Sequence, residues 1–341
     1  MNEARSWPPV TVVMPVRNEA DFIETSLGAV LAQDYPEDRL EILVADGMST
    51  DGTRDLVEGL DAGAVPLRIL DNPGRIVPTG LNAALEEARG EIVVRVDGHC
   101  EIAPDYVRRC VEHLEDGSAS GVGGPIETVG ETYRARAIAA AMSSNFGVGG
   151  SAFRTGRTEP GYVDTVAFPA YPRAVLETAG PYDEELVRNQ DDEYNYRLRK
   201  AGRRLLLAPD VRSRYFSRAT VRSLWRQYRQ YGFWKVRVLQ KHPRQMRARQ
   251  FVPPLFVGAL LTSALLALVP SPLQRLAALS FSAIAALYGA ANLVASLLTA
   301  ARAGWRFLPL LPILYGALHI GYGTGFLLGL VRFAHRWGSP P

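Results

Sequence analysis

The sequence predicts an α/β domain on a mostly parallel, doubly wound sheet, followed by an amphipathic helix and a membrane α-helical region. Three observations carry that reading. Apolar, β-branched runs alternate with stretches of helical spacing over the first hundred residues, the alternation that parallel sheets require. Two of those runs stop at an acid, Asp46 and Asp97. Charge is also divided sharply along the chain. Residues 1–198 carry 17 Lys+Arg against 34 Asp+Glu, residues 199–250 carry 16 against 1, and residues 251–341 carry 5 against none. An acidic body, a basic collar and an apolar tail without carboxylates point to a soluble domain held at an anionic membrane face, and away from a nucleic-acid binder.

Residues 10–16, Val-Thr-Val-Val-Met-Pro-Val, form the first strand, and Phe22, Ile23, Leu27, Val30 and Leu31 then recur at helical spacing. Residues 40–46 give a second strand ending in Asp46, and the small polar residues 47–53 make a turn that opens the next helix. Residues 66–70 are a short third strand. Asn72-Pro-Gly-Arg75 turns into a helix over residues 78–89, which leads to a fourth, buried strand ending at Asp97-Gly-His99. In open α/β sheets ligands bind beyond the carboxyl ends of the strands, so Asp97 and His99 belong on the sheet's rim. An acid and an imidazole two residues apart offer oxygen and nitrogen to a divalent cation, although Asp-x-His by itself is also the composition of a solvated turn. The glycine-rich stretches 121–124 and 147–151 read as loops or turns; neither is the Gly-x-Gly-x-x-Gly of a dinucleotide site. A strand over 161–168 and a short helix over 175–180 follow. Residues 189–202 then open a helix with Asp191, Asp192 and Glu193 and close it with Arg197, Arg199, Lys200 and a glycine. The helix dipole alone favours that order, but acids crowded at one point repel unless a metal, a base or a reaction uses them. Cys100 and Cys110 have no ligand spacing and read as free thiols.

Past residue 215 the texture changes. From Thr220 to Lys241, apolar and aromatic residues at three- and four-residue steps alternate with arginines, the pattern of a helix lying in a lipid interface; a buried core face is the competing reading. Residues 251–269, 276–300 and 308–331 are each apolar enough and long enough to cross a hydrocarbon layer of about 30 Å. The expected division is therefore 1–215, 216–250 and 251–341. The basic collar places the first domain in the cytoplasm, and the residues ahead of the first strand lack a signal peptide's apolar core. With three crossings, Arg332, His335 and Arg336 end outside, against the positive-inside preference, which leaves a re-entrant segment as an alternative.

Acids do not attract phosphates, so a crevice that gathers Asp46, Asp97 and Asp191 for a diphosphate needs a cation to invert the local charge, with one carboxylate left over as a base. Val13-Met-Pro-Val-Arg-Asn-Glu19, Val44-Ala-Asp-Gly-Met-Ser-Thr-Asp-Gly-Thr53, Asn72-Pro-Gly-Arg75, Val96-Asp-Gly-His99 and Gln190-Asp-Asp-Glu-Tyr-Asn-Tyr-Arg197 stand in the order and spacing of the family-two inverting glycosyltransferases. Over residues 10–215 the chain resembles their succinoglycan-biosynthesis branch. The resemblance implies a GT-A fold, a nucleotide-diphosphate sugar donor (UDP-sugar favoured, GDP-sugar possible) and Mg²⁺ or Mn²⁺. It implies Asp191 as catalytic base, Asp46 at the nucleobase, Asp97 at donor and metal with His99 as second ligand, and Glu19, Arg75, Asp192 and Arg197 as further substrate-binding residues.

Two departures stand out. Most of the wider family has Asp-x-Asp where this chain has Asp97-Gly-His99, and the usual Glu-Asp pair is Gln190-Asp191 here. The Gln-x-x-Arg-Trp motif of processive synthases is absent, so one sugar is expected per encounter. The membrane anchor suggests a lipid-linked saccharide acceptor and contact with membrane lipids. The alternative is a catalytically silent scaffold or partner subunit on the same fold; a transporter lacks the intramembrane charge pair it would need.

Overall fold

The computed structural model describes residues 6–155, 158–217 and 220–337. In chain order the elements are β1 Val10–Val16, α1 Ile23–Leu31, β2 Leu40–Asp46, α2 Thr53–Gly59, β3 Leu67–Asp71, α3 Val77–Glu87, β4 Ile92–Arg95, β5 Cys100–Ile102, α4 Tyr106–Leu114, β6 Gly121–Gly124 and β7 Ile126–Val129. There follow α5 Tyr133–Met142, α6 Asn145–Val148, α7 Ala152–Thr155, β8 Gly161–Val163, β9 Ala167–Pro172, α8 Arg173–Ala179, α9 Gln190–Lys200, β10 Leu205–Leu207 and β11 Ser213–Phe216. The last four are α10 Val221–Lys241, α11 Ala248–Leu268, α12 Gln274–Ala303 and α13 Leu311–Arg332. They form two compact units, one of residues 1–127 and 155–216, the other of 128–154 and 217–341. Segment 128–154, assigned by sequence to the first domain, thus lies with the C-terminal helices.

The first unit is built on an eight-stranded sheet of order β3-β2-β1-β4-β9-β6-β10-β8. Strands β1 to β4 are mutually parallel, as their alternation with helices requires. The residues of β1, β2 and β4 are buried on both faces, which is why these strands read as continuous apolar runs and not as alternating ones, whereas the edge strand β3 is only partly covered. Strand β9 enters antiparallel between β4 and β6. The sequence expectation of a loop at 121–124 is corrected here: these glycines are β6, a buried strand. A side chain at Gly124 would put its Cβ 1.4 Å from the Val211 carbonyl oxygen, and one at Gly121 would strike the Tyr171 ring, so backbone proximity, not flexibility, selects glycine. The expected strand over 161–168 is divided between β8 and the start of β9. Both cysteines are free and buried.

The second unit holds three helices long and apolar enough to cross a membrane, α11, α12 and α13. Their bounds match the sequence expectation to within three residues. Helix α10 has the expected extent, and Thr220 caps it by accepting a hydrogen bond from the Ser223 amide. Part of its apolar stripe is covered by α13, along which it packs, while Val221, Trp225, Tyr228, Tyr231 and Trp234 stay partly exposed. Gly321, Gly325 and Gly329 lie against the backbone carbonyls of Trp225, Arg229 and Phe233 in turn, so the two helices run parallel through a four-residue glycine repeat. A Cβ at Gly325 would fall 2.0 Å from the Arg229 oxygen. Gly325→Leu should therefore lower stability by about 1–3 kcal/mol, the usual range for overpacking. Gly316→Ala, which meets nothing within 4 Å, should leave it unchanged or slightly raised. Thermal unfolding in detergent compares the two, and equal midpoints would refute the close contact.

Candidate active site

The carboxyl ends of β1, β2 and β4 meet on one rim of the first unit. Register sets the levels: Val16 pairs with Asp46 across β1 and β2, and Val13 with Arg95 across β1 and β4. Three residues on from Arg95, Gly98 packs against Val16. Asp46 and the Asp97 turn therefore flank the end of β1, separated by two strand spacings, about 10 Å. Asp46 is buried. Its Oδ1 accepts from the Ser49 hydroxyl at 2.6 Å, and both carboxylate oxygens lie within 3.3 Å of the Ser49 amide nitrogen. Arg54 approaches to 3.8 Å.

Two loops are stitched together beside it. The Asn18 amide donates to Ser49 Oγ and the Thr50 amide to Asn18 Oδ1, while the Ala20 amide donates to Asp51 and the Glu19 amide to Thr53 Oγ1. Burial opposes charge on Asp51, but the Thr53 hydroxyl and the amides of Ala20 and Thr53 outweigh it and hold the carboxyl below its ordinary range. Arg17 donates to the Arg75 carbonyl at 3.1 Å, so Arg75, in left-handed conformation, reaches this rim through its backbone and keeps its side chain exposed.

The centre of the site is a residue that the motif reading passed over. Arg95, the last residue of β4, is buried, and its guanidinium donates to both Asp97 oxygens, at 2.9 and 3.3 Å. Burial works against its charge, but Asp97 first and then Asp191 hold it firmly protonated, above the usual arginine value. Asp97 and Asp191, almost a hundred residues apart in sequence, thus share the field of one buried cation. Tyr182 lies in the same field. Burial pushes its hydroxyl up to about 12, with Arg95 opposing and Asp191 adding to the shift. Asn82 on α3 fixes Tyr182 from both sides, donating to its carbonyl and accepting from its amide. The sequence signal for Arg95 was its charge inside an otherwise apolar strand; Tyr182 and Asn82 gave none.

Asp191 stands exposed in the first turn of α9, its Oδ1 accepting from the Asp192 amide. Asp192 follows it on the same turn. Gln190 is buried, with an Oε1 that makes no hydrogen bond, so it does not stand beside Asp191 as a surface acid would. Arg197 spends its donors within the unit, on Glu193 at 2.7 Å and on the carbonyls of Ala179 and Pro181, and lies over the Tyr194 ring. Tyr194 in turn stacks on Tyr182 at 4.0 Å. Arg197 therefore braces the segment that presents Tyr182.

His99 Nδ1 lies 2.9 Å from Glu19 Oε1. A carboxylate only accepts, so Nδ1 carries the proton and, in the neutral ring, Nε2 carries the lone pair. That orientation by an outer carboxylate is the usual arrangement of a metal-binding imidazole. Among the described residues no three or more His, Cys, Asp or Glu side chains cluster to hold a metal by themselves. The chain offers Asp97 and His99 Nε2, and a cation there needs further oxygens from a ligand, as Mg²⁺ sites commonly do.

Arg95→Met would leave Asp97 without its guanidinium, and a loss of about 3 kcal/mol is expected. Combined with Asp97→Asn, most of that loss should return; strictly additive effects on thermal unfolding would show that the pair is not coupled.

Residues 11–176 match the family described as Glycosyl transferase family 2. Succinoglycan biosynthesis protein ExoA of Rhizobium meliloti (strain 1021) is 31% identical over 336 residues, 95% of this chain and 96% of that protein. A dolichyl N-acetyl-alpha-D-glucosaminyl phosphate 3-beta-D-2,3-diacetamido-2,3-dideoxy-beta-D-glucuronosyltransferase of Methanococcus voltae is 28% identical, over 68% of this chain and 74% of its own. Among solved structures, the mannosyltransferase PcManGT from Pyrobaculum calidifontis, in complex with GDP-Man and Mn²⁺, superposes with a TM-score of 0.57 at 24% identity, covering 94% of this chain and 87% of the other.

Proposed function

Because this chain belongs to glycosyl transferase family 2, we propose that it moves a hexose from a nucleotide-diphosphate sugar to a lipid-linked saccharide in extracellular polysaccharide synthesis, with inversion and from the cytoplasmic face. The observation that carries this reading is Arg95, whose buried charge draws on Asp97 and Asp191 together. A donor-side acid and a base are what one displacement at a sugar carbon needs within a single site.

In this reading Asp46 and the stitched loops receive the nucleoside, and Asp97 holds the diphosphate side of the donor. Asp97 and His99 would hold Mg²⁺ or Mn²⁺, which supplies positive charge against the diphosphate. Asp191 takes the proton from the acceptor hydroxyl. The acceptor oxygen bonds to the anomeric carbon from the face opposite the diphosphate, whose oxygen leaves with the electron pair. Oδ1 of Asp191 is engaged by the Asp192 amide, which leaves Oδ2 to take that proton. Arg95 fixes the Asp97 carboxylate and lends its charge to Asp191, and Arg197 acts through Tyr194 and Tyr182. The donor is a UDP-sugar or a GDP-sugar. The family relatives named for polysaccharide and lipid-linked glycan assembly support the acceptor class, and the GDP-Man and Mn²⁺ of PcManGT support the donor and cation classes.

Asp191→Asn should reduce transfer by about 10²- to 10⁴-fold, the range for loss of a general base, while donor binding persists. Turnover at the parent rate, followed by mass analysis of products on lipid extract, removes Asp191 as the base. A silent scaffold is separated by a titration: UDP- or GDP-sugar added to the detergent-solubilised protein should bind more tightly with Mn²⁺ than with chelator. Binding indifferent to metal, or none with any donor, favours the scaffold.

A further inference from the structure

We infer that only α11 and α12 cross the membrane, and that α13, although long and apolar enough, stays at the near face, locked to α10. The argument lies within the second unit and does not depend on what the first unit catalyses.

The parallel contact of α10 with α13 sets their levels. Trp225 meets Gly321, Arg229 meets Gly325 and Phe233 meets Gly329; beyond them Gln240 donates to the Phe333 carbonyl at 2.8 Å. Arg222, Arg226 and Arg229 recur on one exposed face of α10, spanning about 10 Å along the axis. By that register they stand alongside the middle third of α13. Were α13 to span the bilayer, α10 would follow it, and three exposed guanidinium groups would sit at the centre of the hydrocarbon. Arginines reach the interface by snorkelling from helix ends, not from a midpoint. The glycine contacts hold the helices too close for lipid to separate them.

The rest of α13 fits the same placement. Its first half is tied to polar atoms of the segment before α6 and in it: Tyr315 donates to Ser144 Oγ at 2.9 Å, and His319 Nε2 lies 2.8 Å from the Phe146 carbonyl. More than half of its residues are covered or partly covered by the chain. By contrast α11 and α12 are exposed over most of their apolar length, with Leu261, Leu265, Leu268, Leu276, Leu279 and Leu287 among the bare side chains. The contacts that α13 makes with the pair involve Phe251, Pro253 and Val257 in the first half of α11, and Tyr288, Asn292 and Thr299 from the middle of α12 onward. The tip of the hairpin, residues 260–287, projects beyond them. The surface this hairpin presents fits one partner, the hydrocarbon of a bilayer. Arg275, exposed at its tip, then reaches the far headgroups, while Arg247, Arg249, Arg302 and Arg306 gather at its base. Two crossings return the chain to the side it left, so Arg332, His335 and Arg336 also obey the positive-inside preference.

Cysteine labelling tests the placement. Arg244→Cys, Arg275→Cys and His335→Cys are made singly in the full chain, whose own Cys100 and Cys110 are buried, with the parent as blank. A membrane-impermeant maleimide is applied to sealed spheroplasts and again after lysis. Arg244→Cys and His335→Cys should behave alike, and Arg275→Cys oppositely: labelled when sealed, with the other two labelled only on lysis. His335→Cys on the same side as Arg275→Cys would establish three crossings and overturn the proposal, as would all three on one side, which means that the hairpin does not cross. Ala334→Cys and Gln274→Cys, the neighbouring exposed positions, replace either variant that fails to elute as a single species. Only the pairing of sides bears on the proposal. Reversal of all three would correct the cytoplasmic orientation and leave the two-crossing arrangement standing.

Discussion

The first unit depends on a single buried guanidinium. Arg95 closes a strand whose other residues are apolar, and taking it out of water is costly unless its charge is met. Asp97 meets it at 2.9 Å in the turn that follows, where two unit charges about 4 Å apart at an effective dielectric near 20 attract by about 4 kcal/mol. Desolvation of both groups offsets much of that, so the pair contributes little net stability and much position. The guanidinium is planar and donates in a fork, which fixes where the Asp97 oxygens lie. Asp191 in the first turn of α9 feels the same charge, although no direct bond joins it to Arg95.

That coupling explains what was legible in the sequence and what was not. The parallel part of the sheet was readable because β1, β2 and β4 are buried on both faces and cannot be mistaken for amphipathic strands. Asp46 and Asp97 were readable because an acid ending such a run has no packing reason to be there. Asp191 was readable only as part of a motif, since its neighbours Asp192 and Glu193 satisfy the helix dipole equally well. Arg95 was missed because a charge next to the functional acid looks like a solvated strand end until burial is known. Tyr182 and Asn82 were beyond reach, as their roles come from a contact between residues a hundred positions apart. The glycines of β6 misled for the opposite reason: their composition is that of a loop, and only the nearness of Val211 and Tyr171 reveals a strand.

The second unit repeats the lesson with membrane signals. Hydropathy counts residues in one helix at a time and therefore finds three spans. It cannot register that the glycine face of α13 is already occupied by a helix that carries exposed arginines beside the contact. The same pattern in α10 that suggested a lipid interface, aromatic residues alternating with arginines, is satisfied by a protein surface on one side and by water or headgroups on the other.

The two units answer the problem of buried charge in different ways. In the first, acids are numerous, and a buried cation at the end of β4 fixes one of them, Asp97, and meets the charge of another, Asp191. In the second, residues 217–341 contain no Asp or Glu at all, so arginines there can be neutralised only by carboxylates from elsewhere in the chain, by water or by anionic headgroups. A helix in that position can lie at a membrane face but not inside it, because the groups that would complement its charge are found only at the surface. The absence of carboxylates after residue 216 is thus as informative as their concentration before it. With no acid there to pair them, the exposed arginines of α10 separate it, and α13 locked to it, from α11 and α12, a distinction that length and hydrophobicity alone do not make.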